Sequence, residues 1–137
     1  MKANEITIGG WVHCITDNTN HKIAEISILD RTEMLGHDYY RTEEGAYNFI
    51  TDIEGIPLTK EILEKNFPIH THTYFEIYKI NDDFMIEDRS DFMKEPCFCV
   101  CHGNYPTPSY WTCTIQYVHQ LQNALMLHGI EKEIEID

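Results

Sequence analysis

Short runs of alternating apolar and polar residues, each cut off by a cluster of turn formers, constrain this chain more than any other feature. A period of two places one set of side chains on one face of a strand, whereas an amphipathic helix needs a period near 3.6. Residues 22–29 carry Ile23, Ile26 and Ile28 among polar neighbours, and residues 73–80 carry Tyr74, Phe75, Ile77, Tyr78 and Ile80. Asp17-Asn18-Thr19-Asn20 and Asn81-Asp82-Asp83 are dense turn signals. Residues 5–15, with a bend at Gly9-Gly10, are therefore expected to pair with 22–29, and residues 73–80 with 84–88. Tyr39 and Tyr40 suggest a further strand, as do residues 47–53. Residues 97–101 and 110–115 form another expected pair, and the tail 131–137 alternates Ile134 and Ile136 with charges as a strand would.

Two segments break the alternation with helical spacing. Thr59 is a good N-cap for residues 60–66, and Leu58 and Leu63 stand at the N′ and N4 positions of a hydrophobic staple. Pro68 ends that helix. In residues 116–128, Val118, Leu121 and Leu125 share a face with Ala124, and Gly129 is the natural stop. The expected fold is α+β: an antiparallel, β-rich single domain over residues 1–137, with a small barrel-like N-terminal part, packed by two helices.

Charge narrows the function classes. Ten Lys and Arg face 23 Asp and Glu, a formal charge of -13. Nucleic-acid affinity comes mainly from cations that release counterions along phosphates, so general binding of DNA or RNA is not expected. The acidity serves solubility or complements a basic protein. The first ten residues lack the basic start and apolar run of a signal peptide, and no apolar stretch approaches the roughly 20 residues that span a bilayer. Five cysteines, an odd number, are then expected to be free thiols in a reducing cytoplasm.

Three constellations could carry chemistry. Cys97, Cys99, Cys101 and His102, with Cys113 on the next strand, offer zinc-type ligands. Against this, C-x-C-x-C in a strand spreads its sulfurs over about 13 Å, and cysteine packs readily as a small hydrophobe, so a core role is favoured. His70 and His72 would share a face in an extended segment but supply only two ligands, and a polar loop entering the next strand is the favoured reading. Tyr105, Tyr110 and Trp111, interleaved with Pro106 and Pro108, suit either a contact surface or the edge of a core. The stripe His119, Gln120, Gln122 and Asn123 on the last helix is the main polar candidate for reading a ligand or a backbone, set against a solvated helix face. His119 and His128 lie nine residues apart, on different faces. No nucleophile elbow, phosphate loop or zinc-protease pattern is present, so nothing points to catalysis. No cofactor is expected, with zinc the alternative.

Ile56-Pro57-Leu58-Thr59-Lys60-Glu61-Ile62-Leu63-Glu64-Lys65-Asn66 and Tyr117-Val118-His119-Gln120-Leu121-Gln122-Asn123-Ala124-Leu125 together resemble a family of small uncharacterised proteins from phages and prophages of Bacteroides-type bacteria. The chain departs from that pattern where Phe67-Pro68 follows Asn66 directly. The resemblance implies a phage origin, the cytoplasm of a bacterial host and no assigned catalytic residue. The expected role is an accessory protein that acts by binding a host protein or a small molecule, as an inhibitor of host antiviral defence. A zinc-stabilised module or metal-dependent enzyme, and a virion structural or assembly protein, are the alternatives. A homo-oligomer is left open.

Overall fold

The computed structural model describes residues 8–27, 39–45, 47–49, 53–71, 75–102 and 110–137, with side chains over 8–24, 41–45, 53–69, 75–101 and 114–137. The fold is α+β, as the periodicity requires. Its residues group into two compact units, and each unit is built from two stretches of chain. One comprises Met1–Pro57 and Tyr117–Glu131, the other Leu58–Gln116 and Lys132–Asp137.

The first unit holds a five-stranded antiparallel sheet: β1 (Trp11–Cys14), β2 (Thr19–Ser27), β3 (Tyr39–Thr42), β4 (Tyr47–Phe49) and β5 (Ile53–Glu54). Its order is β4-β3-β2-β1-β5, so β4 and β5 stand at opposite edges, and the barrel-like closure is not found among the described residues. β1 and β2 form the expected hairpin, with Cys14 opposite Thr19 and Val12 opposite His21. Asn18 makes the turn in the left-handed region at φ 57, a conformation that an Asn side chain tolerates. The bend falls at Gly9, whose φ of 81 lets its N–H reach Ile23 O at 2.7 Å. Val12, Cys14, Ile23 and Thr42 are all buried. The helix α3 (Val118–Leu127) turns Val118, Leu121 and Leu125 inward, as its spacing predicts. It starts two residues later than expected because Tyr117 and Gln120 form the capping box. Gly129 follows it at φ 68.

The second unit holds β6 (Ile69–Thr71), β7 (Glu76–Lys79), β8 (Phe84–Asp88), β9 (Phe98–His102) and β10 (Tyr110–Ile115), in the order β10-β9-β8-β7-β6. α1 (Lys60–Asn66) is capped as expected: Ile62 N–H donates to Thr59 Oγ1 at 3.3 Å, and Leu58 and Leu63 are both buried. A second, four-residue helix, α2 (Ser90–Met93), was not expected. Asp88 Oδ1 starts it by accepting the Ser90 N–H at 2.9 Å, and Lys94 ends it in the left-handed region.

The tail corrects an expectation. Residues 131–137 join no ladder, yet Ile134 is wholly buried. Asn66 supplies what a neighbouring strand would have supplied. Its amide donates to Glu135 O at 2.8 Å and to Ile62 O at 2.7 Å, while its Oδ1 accepts the Glu135 N–H at 2.9 Å. One buried side chain thus satisfies both backbone groups of Glu135, next to buried Ile134, without a strand.

Candidate functional site

The cysteine-rich strand lies inside a core. β8–β9 register sets Glu87 opposite Cys99 and Met85 opposite Cys101, so these residues share a sheet face with Ile77. Ile77, Met85, Cys99 and Cys101 are each 2 % exposed or less and pack as one cluster, with Cys97 half-buried beside it. The Cys97 and Cys99 sulfurs are 3.9 Å apart. The Cys101 thiol donates to Glu87 Oε2 at 3.3 Å, and Arg89 Nε donates to Glu87 Oε1 at 3.2 Å. Burial, reinforced by the neighbouring Cys97, pushes the Cys99 thiol up to about 11. Burial, reinforced by Glu87, pushes Cys101 up to about 12. Both are therefore thiols at neutral pH, and neither is an activated nucleophile. Among the described residues no three His, Cys, Asp or Glu side chains come together to hold a metal. Cys99 and Cys101 are thus core residues, with Cys97 at the edge of their cluster. The side chains of His102, Cys113, His70 and His72 lie outside the described residues, and the four described cysteines are free.

The polar stripe of α3 turns inward. His119 is 5 % exposed, and its ring stacks on Tyr117 with centroids 5.5 Å apart. Both rings lie over Gly55, where a Cβ would stand 2.7 Å from Tyr117 Cδ1 and 3.0 Å from His119 Cε1. Gln120 Oε1 accepts the Tyr117 N–H at 3.1 Å. Gln122 Oε1 accepts the Trp11 N–H at 2.9 Å, and its Nε2 donates to Gly9 O at 3.2 Å. The side-chain amides of Gln120 and Gln122 are thus engaged by this chain's own backbone. Asn123 is half-buried. Tyr105 and the side chains of Tyr110 and Trp111 lie outside the described residues, although the backbone of Tyr110 and Trp111 runs in β10.

Two further arrangements were not singled out from the sequence. The first is a cavity of about 570 Å³ in the second unit, where the start of α1 meets the ends of β7 and β8 and the α2 turn. Its apolar lining includes Leu58, Phe75, Phe98 and Pro96, with Phe92 (75 % exposed) on α2. Among the described lining residues, Glu61, Glu76, Asp88, Asp91 and Glu95 add five carboxylates, against Lys60 as the single basic one. Lys60 Nζ is 2.8 Å from Glu76 Oε2 and 3.8 Å from Glu64 Oε1. This volume falls in the ordinary range for small-ligand sites, with apolar walls and a few polar groups.

The second lies on the first unit, around His21. Its Nε2 is 3.0 Å from Asp17 Oδ2 and its Nδ1 is 3.1 Å from Glu44 Oε2. Thr19 Oγ1 donates to Asp17 Oδ1 at 2.6 Å, and the Thr19 N–H donates to the same oxygen at 3.0 Å. Burial opposes a charge on His21, yet its bonds to Asp17 and Glu44 outweigh this and raise its pKa above 6.5. Bonds from Thr19 and then His21 hold the Asp17 carboxyl below the usual range. A backbone hydrogen bond and then His21 lower that of Glu44. Thr19 Oγ1 also lies 2.5 Å from His21 Nε2, so hydroxyl, ring and carboxylates form one hydrogen-bonded cluster. No family model, curated protein or solved structure matches the chain.

Proposed function

We propose that this chain is a phage accessory protein that works by binding, and that its ligand is a cationic group of a host protein taken into the acidic, phenylalanine-walled cavity of the second unit. The observation that carries this reading is the cavity lining: among its described residues, five carboxylates and three phenylalanines stand against one lysine. Carboxylates attract and orient a cation, and aromatic faces stabilise it once it is partly desolvated. The phage setting comes from the resemblance of the two helical segments. In that setting, occupation of a basic surface on a host defence protein would block it. The chain's overall charge of -13 would speed the encounter. Among the described residues no helix is long and apolar enough to cross a membrane.

Titration calorimetry with spermidine and with a tetralysine peptide, at low ionic strength, tests the site. The comparison is wild type against the triple substitution Glu61→Gln, Phe92→Ala, Glu95→Gln, all on exposed positions of the rim. Loss of an aromatic anchor and two charges is expected to weaken binding at least about tenfold. Equal affinity for both proteins would assign the binding to overall charge and reject the cavity.

A further inference from the structure

We propose that His21 is a proton-operated clasp that fastens the β1–β2 hairpin to the β3–β4 turn in the first unit. The geometry requires two donors on one ring. Asp17, in the β1–β2 turn, meets Nε2, and Glu44, in the β3–β4 turn, meets Nδ1. An imidazolium carries an N–H on both nitrogens and satisfies both carboxylates. A neutral imidazole carries only one. With that N–H on Nδ1, the Nε2 lone pair accepts the proton of the Thr19 hydroxyl, 2.5 Å away, only if that hydroxyl gives up its bond to Asp17. Deprotonation therefore costs the carboxylates a hydrogen bond in either tautomer. The clasp therefore has two states, and a proton selects between them.

The surroundings favour the protonated form. Thr19, His21 and Ile23 share a face of β2, and the residues opposite them on β1 and β3 are the uncharged Cys14, Val12 and Thr42. The Asp17 carboxylate also accepts the Thr19 hydroxyl and N–H, both on its other oxygen, which leaves Oδ2 facing the ring. Lys22 points to the opposite face, where its Nζ sits 5.2 Å from the Trp11 ring centroid. His13 is on that face too, with Nδ1 2.8 Å from Asn20 Oδ1. Among the described partners of His21 the charges are thus two negative ones. The ring's side chain is only 13 % exposed, so water screens it less than the carboxylates, which are 47 % and 62 % exposed.

The sign of the pH dependence follows from these shifts. The histidine's contribution is complete below 6.5 and is lost as pH rises through its elevated midpoint. The carboxylates contribute fully above 3.8 and 4.5, and lose their contribution as pH falls through their lowered midpoints. The clasp is tightest between pH 4.5 and 6.5 and opens toward mildly alkaline pH.

NMR at low ionic strength reads both halves of the mechanism. The His21 ring carbons are expected to titrate with a midpoint above 6.5. Exchange protection of the Glu43 amide, which donates to Lys22 O at 3.0 Å, and of the Gly45 amide, which donates to Thr42 O at 3.0 Å, is expected to fall through the same midpoint. After correction for intrinsic base catalysis, that fall should be about tenfold for each unit by which the clasp raises the midpoint. Glu44→Gln should lower the midpoint and abolish the step in protection while the β1–β2 hairpin persists. A wild-type midpoint at or below 6.5, or protection that follows intrinsic exchange alone, would overturn the clasp without recourse to any variant.

Discussion

The His21 cluster of the first unit and the Cys99–Cys101 strand of the second carry titratable groups on β-strands and shift them by opposite means. Around His21 the carboxylates keep much of their solvent and are held ionised by hydrogen bonds and an opposite charge. Around Cys101 desolvation dominates, and the neighbouring Glu87 adds to it, so the thiols stay neutral. The lesson concerns position more than residue type. The turn carboxylates Asp17 and Glu44 meet His21 and stay charged, whereas the mid-strand thiols Cys99 and Cys101 meet apolar walls and become core.

The largest expected effect lies in the buried region. Met85→Ala would empty part of the cluster around Ile77, Cys99 and Cys101, and Met85 has no exposed surface. A cost of about 2–5 kcal/mol in urea denaturation is expected. A cost below about 1 kcal/mol would mean that this face is loosely packed and that the contrast with the His21 cluster is one of chemistry alone.

Thiol reactivity sharpens the same contrast. With Cys99 near 11 and Cys101 near 12, against an ordinary 9.0, ionisation alone should slow alkylation at pH 8 relative to the unfolded chain. The expected slowing is about a hundredfold for Cys99 and about a thousandfold for Cys101. Half-buried Cys97 should label first, and mass-resolved iodoacetamide labelling follows the order directly. Rapid labelling of Cys101 in the folded protein would place it at an accessible, functional position.

The smallest effect belongs to the turn. Thr19→Val removes the hydroxyl that donates to Asp17 but keeps the β-branched shape. Stability at neutral pH should change by less than about 1 kcal/mol, whereas the Asp17 carboxyl should move back toward 3.8 in an NMR titration. A large loss of stability would show that the turn is held far more tightly than an exposed cluster should be.

Legibility from the sequence followed the same division. Strand alternation and the capping chemistry of Thr59 exposed the hairpins and both longer helices, because those signals are local. Ile69-His70-Thr71 was missed as a strand, being too short to show a period, and α2 was missed because four residues make a single turn. The tail misled because its alternation is real but Asn66 satisfies its backbone from 69 residues away. The sites were less legible still. Asp17 and Asn18 announced a turn, but Glu44 reaches His21 from 23 residues off, and the cavity draws its lining from elements spread over Leu58 to Phe98. The stripe on α3 showed its composition and concealed its direction: Gln122 had to be seen against Trp11 before its purpose was plain.

That contact between Gln122 and Trp11 also sets a clock. The two residues are 111 apart in sequence, and Gln122 and Gly9 are 113 apart. A ribosome adding about 5–20 residues per second needs roughly 5–20 s to travel from one to the other. For that interval Gly9 and Trp11 are in the nascent chain without the amide that will hold their backbone. Synthesis rate, as well as stability, therefore decides how long this stretch of backbone waits in water or in the grip of a chaperone.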